Sequence, residues 1–247
     1  MAFQPNPFTR RHLARAALAL CALGSLGAAQ AQTPAGWPGK PLRVVVGFAP
    51  GGTTDVMARI LSQSLFESLG RAVVIDNKPG ASGNIAASEV IRATADGYTF
   101  LIAPTSVETA NPSLFKSNIL PSRDLMPVGG VGKTQMYLVA KPQLDVKDTR
   151  DLVAMAKAQP GKLSYASAGA GTPPHLACEL VKLATGIDVA HVPYRGAAPA
   201  LQDVMAGQAD FVCDPGIAFP HIRTNKVKLL GVVSAKRSPF FPDVPTV

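Results

Sequence analysis

Apolar positions along the chain fall into short β-branched runs that alternate with stretches of helical spacing. Leu42, Val44, Val45 and Val46 form the first run, from Pro41 to Phe48, and Pro50-Gly51-Gly52 ends it. Asp55 then opens a helical pattern carried by Val56, Met57, Ile60, Leu61, Leu65 and Leu69, with Gly70 as its stop. Val73-Val74-Ile75 reads as a second strand, and Asn77 to Gly83 as a glycine-rich loop. Ile85 to Ala93 predicts a helix with Glu89 and Arg92 on its wet face. Asp96-Gly97 turns the chain into a strand from Tyr98 to Ala103. This βαβαβ order predicts a parallel sheet with covering helices, an α/β fold.

Between Pro104 and Pro127 no clean period appears, so this stretch is read as a crossover. The pattern then restarts. Strands are predicted over Gln135–Ala140, Leu163–Ser167, Asp188–Val192, Phe211–Asp214 and Leu229–Val233. Helices are predicted over Asp148–Ala158, Pro174–Thr185 and Ala197–Met205, the second opening on a favoured proline and closing on Gly186. Two α/β units are therefore expected.

The N-terminus changes the picture of what is exported and what remains. Arg10, Arg11 and Arg15 precede an apolar run from Ala16 to Ala28, and Ala29-Gln30-Ala31 offers a small-x-small cleavage site. This is the layout of a secretory signal peptide over residues 1–31. The apolar run is too short to span a bilayer, which takes roughly 20 residues. Thr9-Arg10-Arg11-His12-Leu13 also resembles a twin-arginine signal, but an ordinary basic n-region is the favoured reading, with Sec export ahead of the twin-arginine route. Cys21 reads as filler in the apolar run. The chain has 247 residues and a formal charge of +8, of which the signal segment carries three. The positive surplus left after export suits a small anion better than nucleic acid. With 47% hydrophobic residues the chain is no disordered tail. Its 22 Gly and 22 Pro, without a fixed period, imply many turns. Cys178 and Cys213 read as two buried small apolar residues, with a disulfide as the open alternative in an oxidising compartment.

Motifs for catalysis and nucleotide binding fail on their context. Gly129-Gly130-Val131-Gly132-Lys133-Thr134 mimics the end of a P-loop, but Pro127 stands where the first Gly belongs, and a strand follows instead of a helix. Gly80-Ala81-Ser82-Gly83 lacks the last Gly of a nucleophile elbow, because Asn84 occupies its place. Ser113-Leu114-Phe115-Lys116 matches Ser-x-x-Lys without its partner motifs. His175, His191 and His221 are widely separated, and no Cys-x-x-Cys or His-x-x-x-His spacing supports a metal.

One repetition points toward a ligand. Val44 to Asp55 and Leu163 to His175 both read strand, Gly/Thr loop, helix. Each would place backbone N–H groups and Thr hydroxyls at a helix N-terminus, an arrangement that suits anions. Ordinary tight βα turns share this chemistry. His175, in the first turn of its helix, fits capping, packing or ligand contact. Arg195 fits a bidentate carboxylate contact or a solvated loop cation.

Several segments in order carry a resemblance. They are Phe48-Ala49-Pro50-Gly51-Gly52-Thr53-Thr54-Asp55, Asp76 to Ala86 with its Asn77-Lys78-Pro79-Gly80, and Asp96-Gly97-Tyr98-Thr99-Phe100-Leu101. Further along stand Gly169-Ala170-Gly171-Thr172-Pro173-Pro174-His175-Leu176-Ala177, Val192-Pro193-Tyr194-Arg195-Gly196-Ala197, and Pro242-Asp243-Val244-Pro245-Thr246-Val247. Together they resemble the tripartite tricarboxylate transporter receptors, the Bug family of periplasmic solute-binding proteins, across essentially the whole mature chain. The resemblance implies a two-lobed periplasmic-binding-protein type II fold, no catalysis and no cofactor. It places lobe 1 at 32–104 with 225–247 returning to it, and lobe 2 at 105–224. It implies a small carboxylate or similar polar metabolite in the interlobe cleft, inner-membrane transporter subunits as partners, and a periplasmic monomer.

Carried over residue by residue, the ligand set is Phe48, Gly52, Thr53, Thr54, Asp55, Ser82 and Gly83 from the first lobe, and Ser106 near the crossover. Ser167, Gly169, Thr172, His175, Arg195, Gly196, Ala197 and Asp214 come from the second. Micromolar binding takes about 8 kcal/mol, which four or five charge-assisted hydrogen bonds of roughly 1.5–3 kcal/mol each can supply after ordering costs. Family members continue past the Pro-Thr-Val segment, so a part of lobe 1 is expected to be missing from a chain that stops at Val247. An exported hydrolase on a similar scaffold and a ligand sensor for a membrane kinase are the competing readings.

Overall fold

The computed structural model describes residues 36–116 and 119–247. The signal-peptide expectation for residues 1–31, with Cys21, lies outside the described residues. Pro38–Val247 forms one compact unit, built on two sheets.

The first sheet holds β1 (Leu42–Val46), β2 (Val73–Asn77) and β3 (Thr99–Ile102) in the order β2-β1-β3, all parallel. Period-2 alternation in the central strand explains its two covers. Val44 and Val46 pack on Ala58 of α1 (Thr53–Leu69), while Val45 turns to Ala86 and Val90 of α2 (Asn84–Arg92). Gly70 ends α1 in the left-handed conformation, φ 65°, as its position predicts. The apolar stripe expected to bury α1 does not do so. Only Asp55 and Ala58 are buried on that helix, and Val56, Ile60 and Phe66 are exposed. A narrow three-stranded sheet accepts one line of small side chains and leaves the flanks of a 17-residue helix uncovered.

Short helices α3 (Ser106–Thr109), α4 (Asn111–Leu114) and α5 (Pro121–Asp124) follow. Val107 is buried, and Leu125 packs on Val45, Ala86 and Val90. Leu125, expected in lobe 2, thus lies against the first sheet. The compact turns of α3 to α5 follow no single period because each helix is only four residues long. The crossover proper is the exposed stretch from Met126 to Thr134.

The second sheet has β4 (Met136–Ala140), β5 (Ser164–Ser167), β6 (Ala190–Pro193), β7 (Phe211–Asp214) and β8 (Lys228–Val233), ordered β6-β5-β7-β4-β8. It is mixed, not parallel throughout: β4 runs antiparallel to both β7 and β8. Leu138, Tyr165 and Phe211 face α6 (Thr149–Ala158) and α7 (Pro173–Thr185). Tyr137, Val139, Ala166 and Val212 face α8 (Ala197–Met205) and α9 (Phe219–Arg223). Burial on both faces explains why these strands read as near-continuous apolar runs. Residues 228–233 are part of this sheet, and Val232 bridges Thr246 beside it. The expected return of 225–247 to the first lobe is corrected accordingly: β8 finds its partner in β4. Cys178 of α7 and Cys213 of β7 form a disulfide with Cα atoms 5.8 Å apart, so the packing-only reading is corrected too. Among the described residues no helix is long and apolar enough to cross a membrane, and no cluster could hold a metal.

Candidate functional site

The loops at the C-terminal ends of β1, β2, β5 and β6 meet along a seam between the two sheets. On one side, the chain from Gly80 to Gly83 runs through four successive residues with positive φ, including Ala81 (45°) and Ser82 (51°). Non-glycine residues tolerate this only where surroundings hold them. Asn111 Nδ2 does so by donating to Ser82 O (3.0 Å) and to Asn84 Oδ1 (2.8 Å). Gly47 lies so close that a Cβ there would come within 2.6 Å of Gly83 Cα.

Hydrogen bonds cross the seam among the described residues. Ser82 Oγ donates to Ala170 O at 2.6 Å, and Ala49 N donates to Arg195 O at 3.0 Å. Gly169 permits the first. Its φ is +128°, and a Cβ would stand 3.0 Å from Ser82 Oγ. Between these contacts lies a cavity of about 240 Å³. Gly47, Phe48, Gly80 to Ser82 and Phe115 form one wall; Ala168 to Ala170 and Pro193 to Arg195 form the other. Arg195 is the one charged side chain in this lining, and Ser82 and Tyr194 are its other residues with polar side chains.

The second loop is built from behind. Ser167, fully buried at the end of β5, accepts from Gly169 N (3.1 Å) and lies 2.7 Å from His191 Nε2. Thr172 Oγ1 donates to Gly169 O (2.6 Å), and His175 Nδ1 accepts from Gly171 N (3.0 Å). The His175 and His191 rings are 4.2 Å apart. Burial depresses both imidazoles, and for His191 the neighbouring His175 adds to the effect, bringing it down to about 4. Tyr165 stacks on His191, and its hydroxyl donates to Glu179, which Lys182 also contacts at 2.9 Å.

Asp55 and Asp214 take different roles from those expected. Asp55, 2% exposed, accepts from Gly51 N (3.0 Å), Asn77 Nδ2 (2.9 Å) and the Arg59 guanidinium (2.9 and 3.0 Å). Burial alone would raise its pKa, but these donors outweigh burial and hold it below the usual carboxylate range. Its oxygens are committed to shaping the β1–α1 loop. Asn77 extends the same clamp by donating to Phe48 O (3.0 Å). Asp214, at the end of β7, is fully buried. Its Oδ1 accepts from Gly216 N (2.7 Å) and Ala218 N (2.9 Å), while Oδ2 has no partner among the described residues. Burial pushes its carboxyl up to about 6 against the backbone donors that lower it.

Of the expected ligand residues, Phe48, Ser82, Gly169 and Arg195 line the cavity. Gly83 backs its wall against Phe48, and Gly52, Gly196 and Ala197 pack the seam beside it, Gly196 against Ala49. Ser167, Thr172 and His175 stand behind the second loop. Thr53 lines a separate, larger cavity of about 520 Å³ with Met57, Lys133 and Phe219. Thr54 and the buried Ser106 reach neither cavity. The cavity is also lined by Gly47, Gly80, Ala81, Phe115, Ala168, Ala170, Pro193 and Tyr194, none of which stood in the expected ligand set. For Ala81 and the two alanines no signal existed, because they contribute main chain. Phe115 sits in the stretch without a period, and Tyr194 lay inside a motif already singled out.

A family model described as tripartite tricarboxylate transporter family receptor matches residues 57–247. Protein BugT of Bordetella pertussis is 37% identical over 219 residues, covering 85% of this chain and 66% of BugT. The chain spans about two thirds of the length of such curated relatives. An R. palustris protein solved with adipate superposes with a TM-score of 0.83 at 36% identity, covering 85% of this chain and 71% of that one. MatC from Rhodopseudomonas palustris with bound malate superposes at 0.80 with 34% identity, covering 85% and 72%. The fold is thus the α/β architecture of periplasmic binding proteins, and the chain belongs to the tripartite tricarboxylate transporter receptor family.

Proposed function

We propose that the protein is a periplasmic solute receptor that captures a small carboxylate between its two sheets and presents it to a tripartite tricarboxylate-type membrane transporter. One observation carries this reading. The seam cavity is lined by residues of several loops from both sheets, with one cation, Arg195, and no carboxylate side chain. Such a lining favours an anion through Arg195, with the loop amides around it as further donors. Ser167 and His191 form a close pair, but Ser167 is fully buried and outside the lining, which argues for binding over hydrolysis. A chain carrying a signal peptide, with a disulfide, suits the periplasm. The relatives solved with adipate and malate make dicarboxylates the first probes. The ligand set proposed is Phe48, Ser82, Gly169 and Arg195 with the main chain of Gly80–Gly83 and Ala168–Ala170; the protein acts as a monomer.

Thermal unfolding with a panel of mono-, di- and tricarboxylates, amino acids and aromatic acids tests the reading. A ligand at 100 times its Kd stabilises by about 2.7 kcal/mol, which raises Tm by roughly 5–10 °C for a domain of this size. A panel that leaves Tm unmoved sinks the proposal.

A further inference from the structure

The loop from Ala168 to Thr172 supplies part of one wall of the cavity, yet its own support comes from groups outside the cavity lining. Two imidazoles stand behind it. His175 Nδ1 accepts the Gly171 N–H at 3.0 Å, so that nitrogen carries no proton. His191 Nε2 is 2.7 Å from Ser167 Oγ, which in turn accepts from Gly169 N at 3.1 Å. The two rings lie 4.2 Å apart, sandwiched near the Tyr165 ring. The titratable and charged groups facing them are Glu179 and Lys182 from the helix of His175, and Tyr165 from β5. Glu179 favours a charged imidazole, but the Tyr165 hydroxyl and Lys182 already engage its carboxylate.

Resting on the carboxylate-receptor reading, we propose that His175 and His191 are positioning residues that hold the Ala168–Thr172 loop only while both rings are neutral, so that acidification loosens the loop and weakens capture. A proton on His175 Nδ1 would point at the Gly171 N–H and remove that bond. A proton on His191 would place a second cation against it, because the two rings lie 4.2 Å apart, tilted by 34°. Burial of both rings delays this event to below the usual histidine range. Capture is then insensitive to pH near neutrality and fails in acid.

Two measurements test the idea. In ¹⁵N-labelled protein without ligand, the Gly171 amide signal is expected to titrate with the His175 ring, below pH 6.5, and the Gly169 amide with the His191 ring. Amides that stay still while the rings titrate overturn the proposal. Second, adipate and malate affinities are compared at pH 7.5 and 5.0 in the wild type, His175→Asn and His175→Ala. Asparagine offers Gly171 a carbonyl that does not titrate. Wild type should lose roughly three- to tenfold more affinity on acidification than His175→Asn, the worth of one hydrogen bond. His175→Ala should bind more weakly than His175→Asn at pH 7.5. Equal pH profiles in wild type and His175→Asn, or tighter wild-type binding in acid from a cation facing the anion, overturn the proposal. If neither probe binds at pH 7.5, the carboxylate reading falls and takes capture with it, while the amide titration still decides whether the histidines hold the loop.

Discussion

Ser82 shows how one side chain can join two sheets. Its hydroxyl reaches Ala170 O only because Ala81 and Ser82 adopt positive φ and Gly169 leaves room. Ser82→Ala keeps the turn, which Asn111 clamps through main chain, and removes one of the crossing bonds. The expected result is roughly a fivefold loss of carboxylate affinity, about 1 kcal/mol, measured by calorimetry with adipate. Unchanged affinity would show that the crossing bond has no share in closure. Asp55 has the opposite character. It is buried, saturated with donors and turned away from the cavity. Asp55→Ala leaves Gly51 N and Asn77 unsatisfied and should cost about 2–4 kcal/mol of stability, read from denaturant unfolding at pH 7. Its depressed pKa adds stability that is present above the ordinary carboxylate range and is lost as pH falls through the folded value.

At the level of elements, the disulfide ties the helix that follows the second loop to the strand that ends in Asp214. Cys178 and Cys213 are 35 residues apart. Closing a loop of that length in the unfolded chain stabilises by about 2–4 kcal/mol. Reduction, or replacement of both cysteines by alanine, should lower Tm by roughly 5–12 °C, with an oxidised wild-type control. A Tm that ignores reductant would mean the pair contributes only its packing. The elements themselves were largely legible. Strand alternation in Val44 to Val46 and the Gly70 and Gly186 stops correspond to the observed helices and sheets. The short helices from Ser106 to Asp124 were not, since four residues are too few to show a period.

For the molecule as a whole, two buried groups give opposing pH dependence. His191, depressed to about 4, binds fewer protons folded than unfolded between about 4 and 6.5. It therefore adds stability as pH rises through that window. Asp214, raised to about 6, binds more protons folded between 3.8 and about 6. Its contribution falls as pH rises over nearly the same range. The two should partly cancel, leaving a flat Tm profile from pH 4.5 to 6.5. Asp214→Asn removes one side of the balance. Its Tm should then climb with pH across that interval, and a profile that stays flat would refute the assignment. At pH 7.5 the same substitution relieves a buried charge and is expected to stabilise by about 1–2 kcal/mol.

The sequence alone determined which segments become strands and helices, where glycine-rich turns interrupt them, and that the chain follows the order of a periplasmic receptor. These are local properties: periodicity, β-branching, turn residues and motif order are written residue by residue. Only the tertiary structure decided that β4 and β8 run antiparallel in the second sheet, that Leu125 packs on the first, and that the cysteines pair. It also separated the expected site residues into those that line the cavity, those that brace a loop from behind and those that never approach it. The physical reason is that half of the residues lining the cavity are glycine or alanine, which bring little or no side chain to read. Any residue can present an amide or carbonyl, so side-chain identity does not say which amides face inward. That is decided by contacts such as Ser82 with Ala170 and Ala49 with Arg195, made between loops far apart in the chain.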